Sequence, residues 1–372
     1  MTSVPFPALE RIRADVRAMH AYGVQDCSNI LIKLDAMENP YELPTLLQQA
    51  LGARLRYLPI NRYPNAAQVE RLHTALRRHA RAPDDWSIML GNGSDELIGL
   101  LALACAQDGA SILTPAPSFV FYEMTAQQHG LGFCAVPLAD GFQLDEAAML
   151  AAIEREKPAL LYLAHPNNPT GTLWDAAAMQ HIIAAQGAAG GIAVIDEAYQ
   201  PFAARTWLDE VQPERDAHVL IMRTLSKFGL AGVRLGYLMG DARLIAEIDK
   251  VRPPYNVGVL NLECALFALE HAGEFAQQAA NIRAQRARLM EELAALPGCT
   301  VWPSEGNMVL LRVADTAEGA QRIFEGMKAR GVLVKHVSAM HPQLAGCLRL
   351  TVGSADENTR MLAALRAALN TP

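Results

Sequence analysis

One lysine and one arginine lie seven residues apart in the segment TLSKFGLAGVRLG, 224–236, among small and apolar residues. The segment follows HVLIMRT, an apolar run that predicts a buried strand. Because burial disfavours a charged amine, Lys227 in such surroundings would supply the neutral nucleophile that attacks an aldehyde. Arg234 could bind a phosphate through charge-assisted hydrogen bonds, and Ser226 could add a hydroxyl donor. The plainer alternative is a solvated turn that carries two surface charges.

A second candidate for phosphate binding is the glycine-rich loop GNGSDEL, 91–97, which opens a predicted helix. Free backbone N–H groups and the helix dipole at such a helix start favour an anion. A dinucleotide fingerprint would need a third glycine where the chain has Glu96, and the next strand ends in Thr114 and Pro115, with no acid for a ribose. The segment therefore disfavours a nicotinamide cofactor. A plain helix start with Ser94 as N-cap stays open.

Asp196 ends the apolar run IAVI, where a carboxylate needs a partner. A pyridinium nitrogen would serve, since the aspartate would keep it protonated and make the ring an electron sink. Tyr199, three residues on, could reach the same ligand, and Asn168 lies in HPNNPTG after the run ALLYLA. A helix-capping role for Asp196 is the alternative. Together with Lys227, this set describes a site for pyridoxal phosphate.

These residues follow the ends of short apolar runs that alternate with helical segments from about residue 86 onward. The predicted strands are SIML, SILT, GFCAVPL, ALLYLA, IAVIDEA and HVLIMRT, and the predicted helices cover 95–107, 118–129, 145–155 and 174–187. Continuous apolar strands separated by helices indicate a largely parallel sheet buried on both faces. Ligands of such sheets bind at the carboxyl ends of the strands, so we expect the polar segments to converge on one edge.

The rest of the chain predicts two further parts. An N-terminal arm contains one short helix in PALERIRADVRAM, and NAAQVERLHTALRRHA has the spacing of an amphipathic helix. After Pro253 and Pro254 a long charged helix over 272–296 precedes three strands, GNMVLLRV, GVLVKHV and CLRLTVG, with helices near 316–330 and 355–369. We therefore predict an α/β fold with a large domain, whose mostly parallel sheet is flanked by helices, and a smaller α/β domain. The predicted bounds are 1–30 for the arm, 31–50 plus 260–372 for the small domain and 51–259 for the large cofactor-binding domain.

Composition excludes several classes of function. The chain has 372 residues and a net charge of −7 without long runs of one sign, which argues against binding to nucleic acid or to an anionic membrane. No window approaches a membrane span, and the N-terminus lacks a signal-peptide pattern. The six cysteines form no C-x-x-C pair and read as reduced, buried thiols, which predicts a cytoplasmic protein. His336 and His341 have no partnered acid, so we expect no metal site.

Eight segments in order along the chain carry a resemblance to a known family. They are KLDAMENPY, NRYPN, GNGSDELI, HPNNPTG, VIDEAYQPF, RTLSKFGLAGVRLGY, PPYNVGVL and GCLRLTVG. The chain resembles the fold-type I aminotransferases and, within them, the histidinol-phosphate aminotransferase family. NNPTG, SK and LRLTVG are typical of the whole group, whereas KLDAMENPY and RTLSKFGLAGVRLGY are more specific to the subfamily. The resemblance implies a pyridoxal 5'-phosphate enzyme that forms a homodimer.

The resemblance also implies roles for individual residues. Lys227 would bind the cofactor aldehyde, Asp196 would pair with the pyridinium nitrogen, Asn168 and Tyr199 would bind the ring hydroxyl, and Phe119 would stack on the ring. The residues implied at the cofactor phosphate are Ser94, Asp95, Glu96, Ser226, Arg234 and, from the other subunit, Tyr63. Asn39 and Arg349 are implied at the substrate, with Arg349 binding a carboxylate. Lys335 is a candidate for extra charge there, and Tyr22 in the arm could add a hydroxyl donor. The plainer alternatives are a surface lysine for Lys335 and packing of the arm for Tyr22.

Two positions differ from many relatives, and they bear on the substrate. Phe119 stands where many relatives have tyrosine, so the stacking ring is kept but a hydroxyl is lost. Many relatives also have an arginine near the position of Lys335, where the substrate phosphate is thought to bind, and lysine keeps the charge of that arginine but not its fork. The implied reaction interconverts histidinol phosphate and 2-oxoglutarate with imidazole-acetol phosphate and glutamate. A lyase similar to threonine-phosphate decarboxylase and a broad aromatic amino-acid aminotransferase are the alternatives. A non-catalytic regulator that binds pyridoxal phosphate is a further one, but an arm of thirty residues is too short for a DNA-binding module.

Overall fold

The strands and helices are described from a computed structural model, which covers residues 7–21, 23 and 29–371. The strands are β1 (Ile32–Lys33), β2 (Trp86–Gly91), β3 (Ser111–Ala116), β4 (Gly132–Pro137), β5 (Leu160–Ala164), β6 (Ile192–Asp196), β7 (Val219–Thr224), β8 (Gly236–Asp241), β9 (Thr300–Val301), β10 (Met308–Arg312), β11 (Val332–Leu333), β12 (Lys335–His336) and β13 (Cys347–Thr351). The helices are α1 (Ala14–Ala18), α2 (Thr45–Leu55), α3 (Ala66–Ala80), α4 (Ser94–Cys105), α5 (Phe121–His129), α6 (Glu146–Glu156), α7 (Ala176–Ala188), α8 (Ala242–Asp249), α9 (Val259–Glu270), α10 (Ala272–Ala294), α11 (Ala317–Lys328) and α12 (Ala355–Leu369).

The central element is a seven-stranded sheet in the order β2-β8-β7-β6-β5-β3-β4. Its strands bury both faces, because side chains along one strand alternate between two apolar clusters. Along β5, for example, Leu161 and Leu163 belong to one cluster, and Leu160 and Tyr162 belong to the other. Six strands run in the same direction, so the carboxyl ends of β2, β3, β5, β6 and β7 lie on one edge. The prediction that the polar segments converge on one edge is confirmed.

Strand β8 runs against both of its neighbours, β2 and β7. No strand or helix is predicted for residues 236–241 from the sequence. The segment GYLMGD has a glycine at its first and fifth positions and only three large apolar residues, so it carries no clear period. The antiparallel strand returns the chain from the Lys227 bend and sets that bend beside the loop at the end of β2.

Two predicted helices differ from those observed. The predicted arm helix is split into a 3₁₀ turn at Pro7–Arg11 and the five-residue helix α1. The predicted helix 118–129 begins only at Phe121, because residues 118–120 form the turn after β3. In that turn the Ser118 hydroxyl donates to Asn167 Oδ1 at 2.8 Å. The turn is therefore tied to the neighbouring strand end rather than coiled into a helix.

A second sheet, β12-β13-β10-β9, is antiparallel and packs on α10, α11 and α12 around its own apolar cluster. Strand β1 pairs with β11 in parallel, which joins the segment after the arm to this part of the chain. Helix α9 packs against α2 and α3. The α/β fold with a mostly parallel central sheet is as predicted, and the domain bounds at residues 30, 50 and 260 stay a prediction.

The cysteines and the helices bear on two other expectations. Five cysteines lie in the described part, all of them free, but only Cys347 is buried and the other four are half-buried. The expectation of buried thiols is thus wrong for four of them, and Cys27 lies outside the described residues. None of the described helices combines the length and the apolar character that a membrane span needs. Within residues 7–21, 23 and 29–371, no cluster of histidine, cysteine or acidic side chains could hold a metal ion.

Candidate active site

The N-terminus of α4 forms a cup with Arg234 and Ser226. Gly93 is the N-cap and offers no side-chain acceptor, so the alternative of Ser94 as N-cap is wrong. Gly93 has φ +88°, and a Cβ there would lie 2.6 Å from the Arg234 guanidinium, so only glycine lets the two approach. The guanidinium lies 3.4 Å from Ser226 Oγ and 3.3 Å from an Asp95 carboxylate oxygen. Open helix N–H groups, a hydroxyl and a guanidinium suit a phosphate.

Glu96 lies beside this cup but binds the loop itself. Its Oε2 accepts hydrogen bonds from the Asn92 backbone N–H and the Asn256 side chain, both at 2.7 Å. Asn256 also donates to the Leu90 carbonyl at the end of β2. These contacts brace the loop, and a carboxylate would repel a phosphate, so the structure gives Glu96 a bracing role. Its predicted contact with the cofactor stays a prediction.

Lys227 lies in a single π-helical turn, Ser226–Leu230, directly after β7. Its Nζ donates to the Ala36 carbonyl at 2.8 Å and lies 5.9 Å from the centre of the Tyr199 ring. Burial, with a smaller contribution from the positive charge of Arg349, lowers the pKa of Lys227 to about 8. An amine with this pKa is partly neutral near neutral pH, as a nucleophile toward an aldehyde must be.

Asp196 ends β6 and is only 5 % exposed. Its Oδ1 accepts from the Ala198 backbone N–H at 3.0 Å, and its Oδ2 accepts from the Tyr122 hydroxyl at 2.7 Å. Burial raises the pKa of Asp196 to about 6 in spite of these two hydrogen bonds. The arrangement is that of a buried carboxylate held for a cationic partner.

Asn168, Tyr199 and Arg349 form one hydrogen-bonded chain. The Asn168 amide donates to the Tyr199 hydroxyl at 3.1 Å and accepts from Arg349 Nη1 at 2.7 Å. Arg349 Nη2 donates to the Asp35 carbonyl at 2.5 Å. Arg349 comes from the second sheet, so this chain joins the second sheet to the edge of the large one. The structure thus brings the predicted ring-hydroxyl residues and the predicted carboxylate-binding arginine together.

Three other predicted residues lie around this centre. Phe119 is half-buried in the turn after β3, and its ring packs at 90° against the ring of Tyr122, with 5.6 Å between centroids. Asn39 donates to Gln278 Oε1 at 3.0 Å, so its side chain ties the segment after β1 to α10. Lys335 is the cross-strand partner of Arg349 in the β12–β13 pair, which sets a second cation beside the first.

Two predicted residues are not brought to this centre. Tyr63 is 75 % exposed and stacks on Tyr255 at 4.3 Å. Among the described residues, no hydrogen bond links Tyr63 to the cup or to Lys227. Tyr22 lies outside the described residues.

Two groups that hold the site were not predicted from the sequence. The Ala36 carbonyl is a backbone acceptor, so no pattern of side chains in the sequence predicts its hydrogen bond with Lys227. Tyr122 reaches Asp196 only because α5 packs on the sheet, against β3 and β4, and its position in the sequence indicates nothing more than a tyrosine near the start of a helix. A phosphate cup, a buried carboxylate and an amine of lowered pKa together suit a ligand that has a phosphate, a basic ring nitrogen and an aldehyde.

Comparison with known proteins settles the family. The family model of class I and II aminotransferases matches residues 29–365. The chain belongs to this family. The histidinol-phosphate aminotransferase of Acidovorax sp. (strain JS42) is 62% identical over 370 residues, which are 99% of each chain. The enzyme of the same name from Paracidovorax citrulli (strain AAC00-1) is 62% identical over 376 residues, which are 99% of this chain and 100% of that one.

Solved structures agree with the fold of this aminotransferase. The crystal structure of histidinol-phosphate aminotransferase from Sinorhizobium meliloti in complex with pyridoxal-5'-phosphate superposes with a TM-score of 0.83 at 25% identity. The match covers 97% of this chain and 98% of that one. The predictions of a fold-type I α/β architecture and of an aminotransferase are confirmed.

Proposed function

We propose that this aminotransferase interconverts L-histidinol phosphate and 2-oxoglutarate with imidazole-acetol phosphate and L-glutamate, using pyridoxal 5'-phosphate. The observation that carries the proposal is that Lys227, Asp196 and Arg234 converge on one edge of the sheet. They are an amine for an aldehyde, a carboxylate for a ring nitrogen and a guanidinium for a phosphate. The full-length relatives at 62% identity support the choice of substrate.

The cofactor's three functional groups match three groups of the chain. The phosphate would bind to Arg234, Ser226 and the N–H groups that open α4. The ring nitrogen would pair with the Asp196 carboxylate, and the ring hydroxyl with Tyr199 and Asn168. When bound, pyridoxal phosphate supplies an electron sink for the carbon that carries the substrate's amine.

The protein residues then manage protons and orientation. Lys227 Nζ, with its pKa near 8, would take the proton from that carbon and return it at the other end of the conjugated system. Asp196 would hold the proton on the ring nitrogen, because the buried carboxylate is stabilised by a cationic partner. Phe119, held edge-on by Tyr122, would cover one face of the ring and exclude water.

The substrate's anionic group needs cations that the cofactor phosphate does not use. Arg349 would bind the carboxylate of glutamate in one half-reaction and the phosphate of histidinol phosphate in the other, since its fork suits both. Lys335 lies opposite Arg349 across the strand pair and would add charge for the phosphate. Asn39 and Tyr22 would complete the substrate site.

We further propose that the enzyme is a cytoplasmic homodimer with two-fold symmetry. The stacked pair of Tyr63 and Tyr255 is exposed in one protomer, together with Tyr57 and Ile60. Large exposed apolar side chains grouped along one segment are typical of a protein interface. A second copy would cover them, and Tyr63 would reach the cofactor phosphate of the partner.

A substrate panel tests the proposed function. Histidinol phosphate, phenylalanine and threonine phosphate are each offered with 2-oxoglutarate, and glutamate and carbon dioxide are measured. We expect the highest kcat/KM for glutamate formation with histidinol phosphate, no carbon dioxide from threonine phosphate, and no turnover in Lys227→Ala. A preference for phenylalanine would support an aromatic aminotransferase instead, and carbon dioxide release from threonine phosphate would support a lyase.

A further inference from the structure

Tyr122 is a buried residue of the first turn of α5 that the proposed chemistry does not use directly. Its side chain is fully buried, and its hydroxyl donates to Asp196 Oδ2 at 2.7 Å. The ring stacks on Tyr162 at 4.4 Å between centroids with an interplanar angle of 13°. Phe119 meets it at 90°. Two ring contacts and one hydrogen bond therefore fix the Tyr122 hydroxyl in one place.

The hydrogen bonds at Asp196 leave room for a third partner. One donor, the Ala198 N–H, serves Oδ1, and one donor, the Tyr122 hydroxyl, serves Oδ2. Each carboxylate oxygen has two acceptor sites, so both keep one for a further N–H group. A second N–H donor could thus approach without displacing either bond.

Tyr122 also acts on the charge of Asp196. Burial raises the pKa of Tyr122 well above its ordinary value, so this phenol stays neutral and donates. A neutral donor stabilises the ionised carboxylate. Burial acts in the opposite direction, and so do the negative charges of Asp95 and Glu197, which also face Asp196. Of the groups that lower the pKa of Asp196 and so favour the ionised carboxylate, the Tyr122 hydroxyl contributes most, ahead of the Ala198 N–H.

We propose that Tyr122 is a positioning residue that holds the Asp196 carboxylate ionised and oriented toward the ring nitrogen of the cofactor. The proposal rests on the proposed role of Asp196 in binding pyridoxal phosphate. Because the Tyr122 ring also packs against the Phe119 ring at 90°, one side chain orients both the group at the ring nitrogen and the group at the ring face.

Tyr162 offers a matched control. It is fully buried, stacks on Tyr122, and its hydroxyl has no hydrogen-bond partner among the described residues. Tyr122→Phe and Tyr162→Phe therefore remove the same atom from neighbouring buried rings, and only the first removes a hydrogen bond to Asp196. Thermal melting of both apoenzymes verifies that the variants fold.

The measurement is the Kd of each apoenzyme for pyridoxal phosphate, by equilibrium dialysis, between about pH 6 and pH 8. Loss of a hydrogen bond to a charged group predicts a Kd about tenfold or more above wild type for Tyr122→Phe. The loss should grow toward low pH, because Asp196 without Tyr122 takes up a proton more readily. Tyr162 and Tyr199, the other groups near the carboxylate, stay neutral over this range. Tyr162→Phe should bind within about twofold of wild type.

A double-mutant cycle with Asp196→Asn decides whether Tyr122 acts through Asp196. If it does, Tyr122→Phe adds no loss in the Asp196→Asn background. Three results would overturn the inference. Tyr122→Phe could bind pyridoxal phosphate like wild type while Asp196→Asn binds it weakly, or Tyr162→Phe could lose as much affinity as Tyr122→Phe. The third is that Tyr122→Phe still lowers the affinity in the Asp196→Asn background. Normal binding in Asp196→Asn itself would instead contradict the proposed cofactor role of Asp196, and the inference with it.

Discussion

Asp196→Asn should stabilise the cofactor-free protein while it weakens the cofactor complex. A pKa of about 6 in place of the ordinary 3.8 means that the fold disfavours the ionised carboxylate. That difference corresponds to about 3 kcal/mol of destabilisation once the group is ionised in both the folded and the unfolded state. Asparagine is neutral and has the same shape, so it keeps the bond from the Ala198 N–H. It should recover much of this free energy.

The sign of the pH dependence follows from the raised pKa. The folded state binds its proton more tightly than the unfolded state, so the penalty is fully present above about pH 6 and vanishes below about pH 4. We expect Asp196→Asn apoenzyme to exceed wild type in free energy of unfolding by up to about 3 kcal/mol at pH 8, and by about half of that at pH 5. Saturating pyridoxal phosphate should reverse the order, because the ligand stabilises the variant less.

Urea unfolding of both apoenzymes at equal protomer concentration, followed by tryptophan fluorescence, measures these free energies. Glu197→Gln is a useful contrast, since that buried carboxylate is already paired with Arg223 and its loss should destabilise the protein. A variant no more stable than wild type at pH 8, or equally stabilised at pH 5 and pH 8, would refute the reasoning from the burial of Asp196.

Two further predictions concern the substrate and the proposed dimer. Lys335→Ala should lower kcat/KM for histidinol phosphate by a factor equivalent to roughly 1.5–3 kcal/mol, the size of a hydrogen bond to a charged group. The kcat/KM for glutamate should fall less. Equal losses in the two half-reactions would exclude the phosphate-binding role. Mixing Lys227→Ala with Tyr63→Phe subunits should restore activity, because one site of each mixed dimer has both residues intact. If the activity of the mixture were no higher than that of the separate variants, Tyr63 would not act across the interface.

The sequence predicted the edge where the site lies because its signals are local. Apolar runs indicate buried strands, and a polar residue directly after such a run, such as Asp196 or Lys227, must lie at a carboxyl end. Because these strands of the sheet run parallel, their carboxyl ends lie together, and this does not depend on where the helices begin and end. The resemblance added roles for residues such as Asn168 and Arg349, which the structure joins by a hydrogen bond.

The contacts that hold the site could not be read in the same way. Tyr122 meets Asp196 across 74 positions of the chain, through the packing of α5 on the sheet, and no pattern in the sequence encodes that distance. Ala36 contributes a backbone carbonyl, which every residue has. Glu96 at a helix start could bind either a ligand or the loop, and only its hydrogen bonds with Asn92 and Asn256 show that it binds the loop. The antiparallel strand β8 was not predicted, because its glycines leave no hydrophobic period in the sequence.

Reductive labelling tests the central claim most directly. The protein is loaded with pyridoxal phosphate, treated with borohydride and mapped by peptide mass spectrometry. The cofactor should be found covalently on Lys227. Excess histidinol phosphate added before borohydride should abolish the label, because its amine is transferred to the cofactor and no imine to Lys227 remains, and 2-oxoglutarate should restore it. A label on another lysine, or a label that histidinol phosphate leaves unchanged, would contradict the proposed site or the proposed substrate.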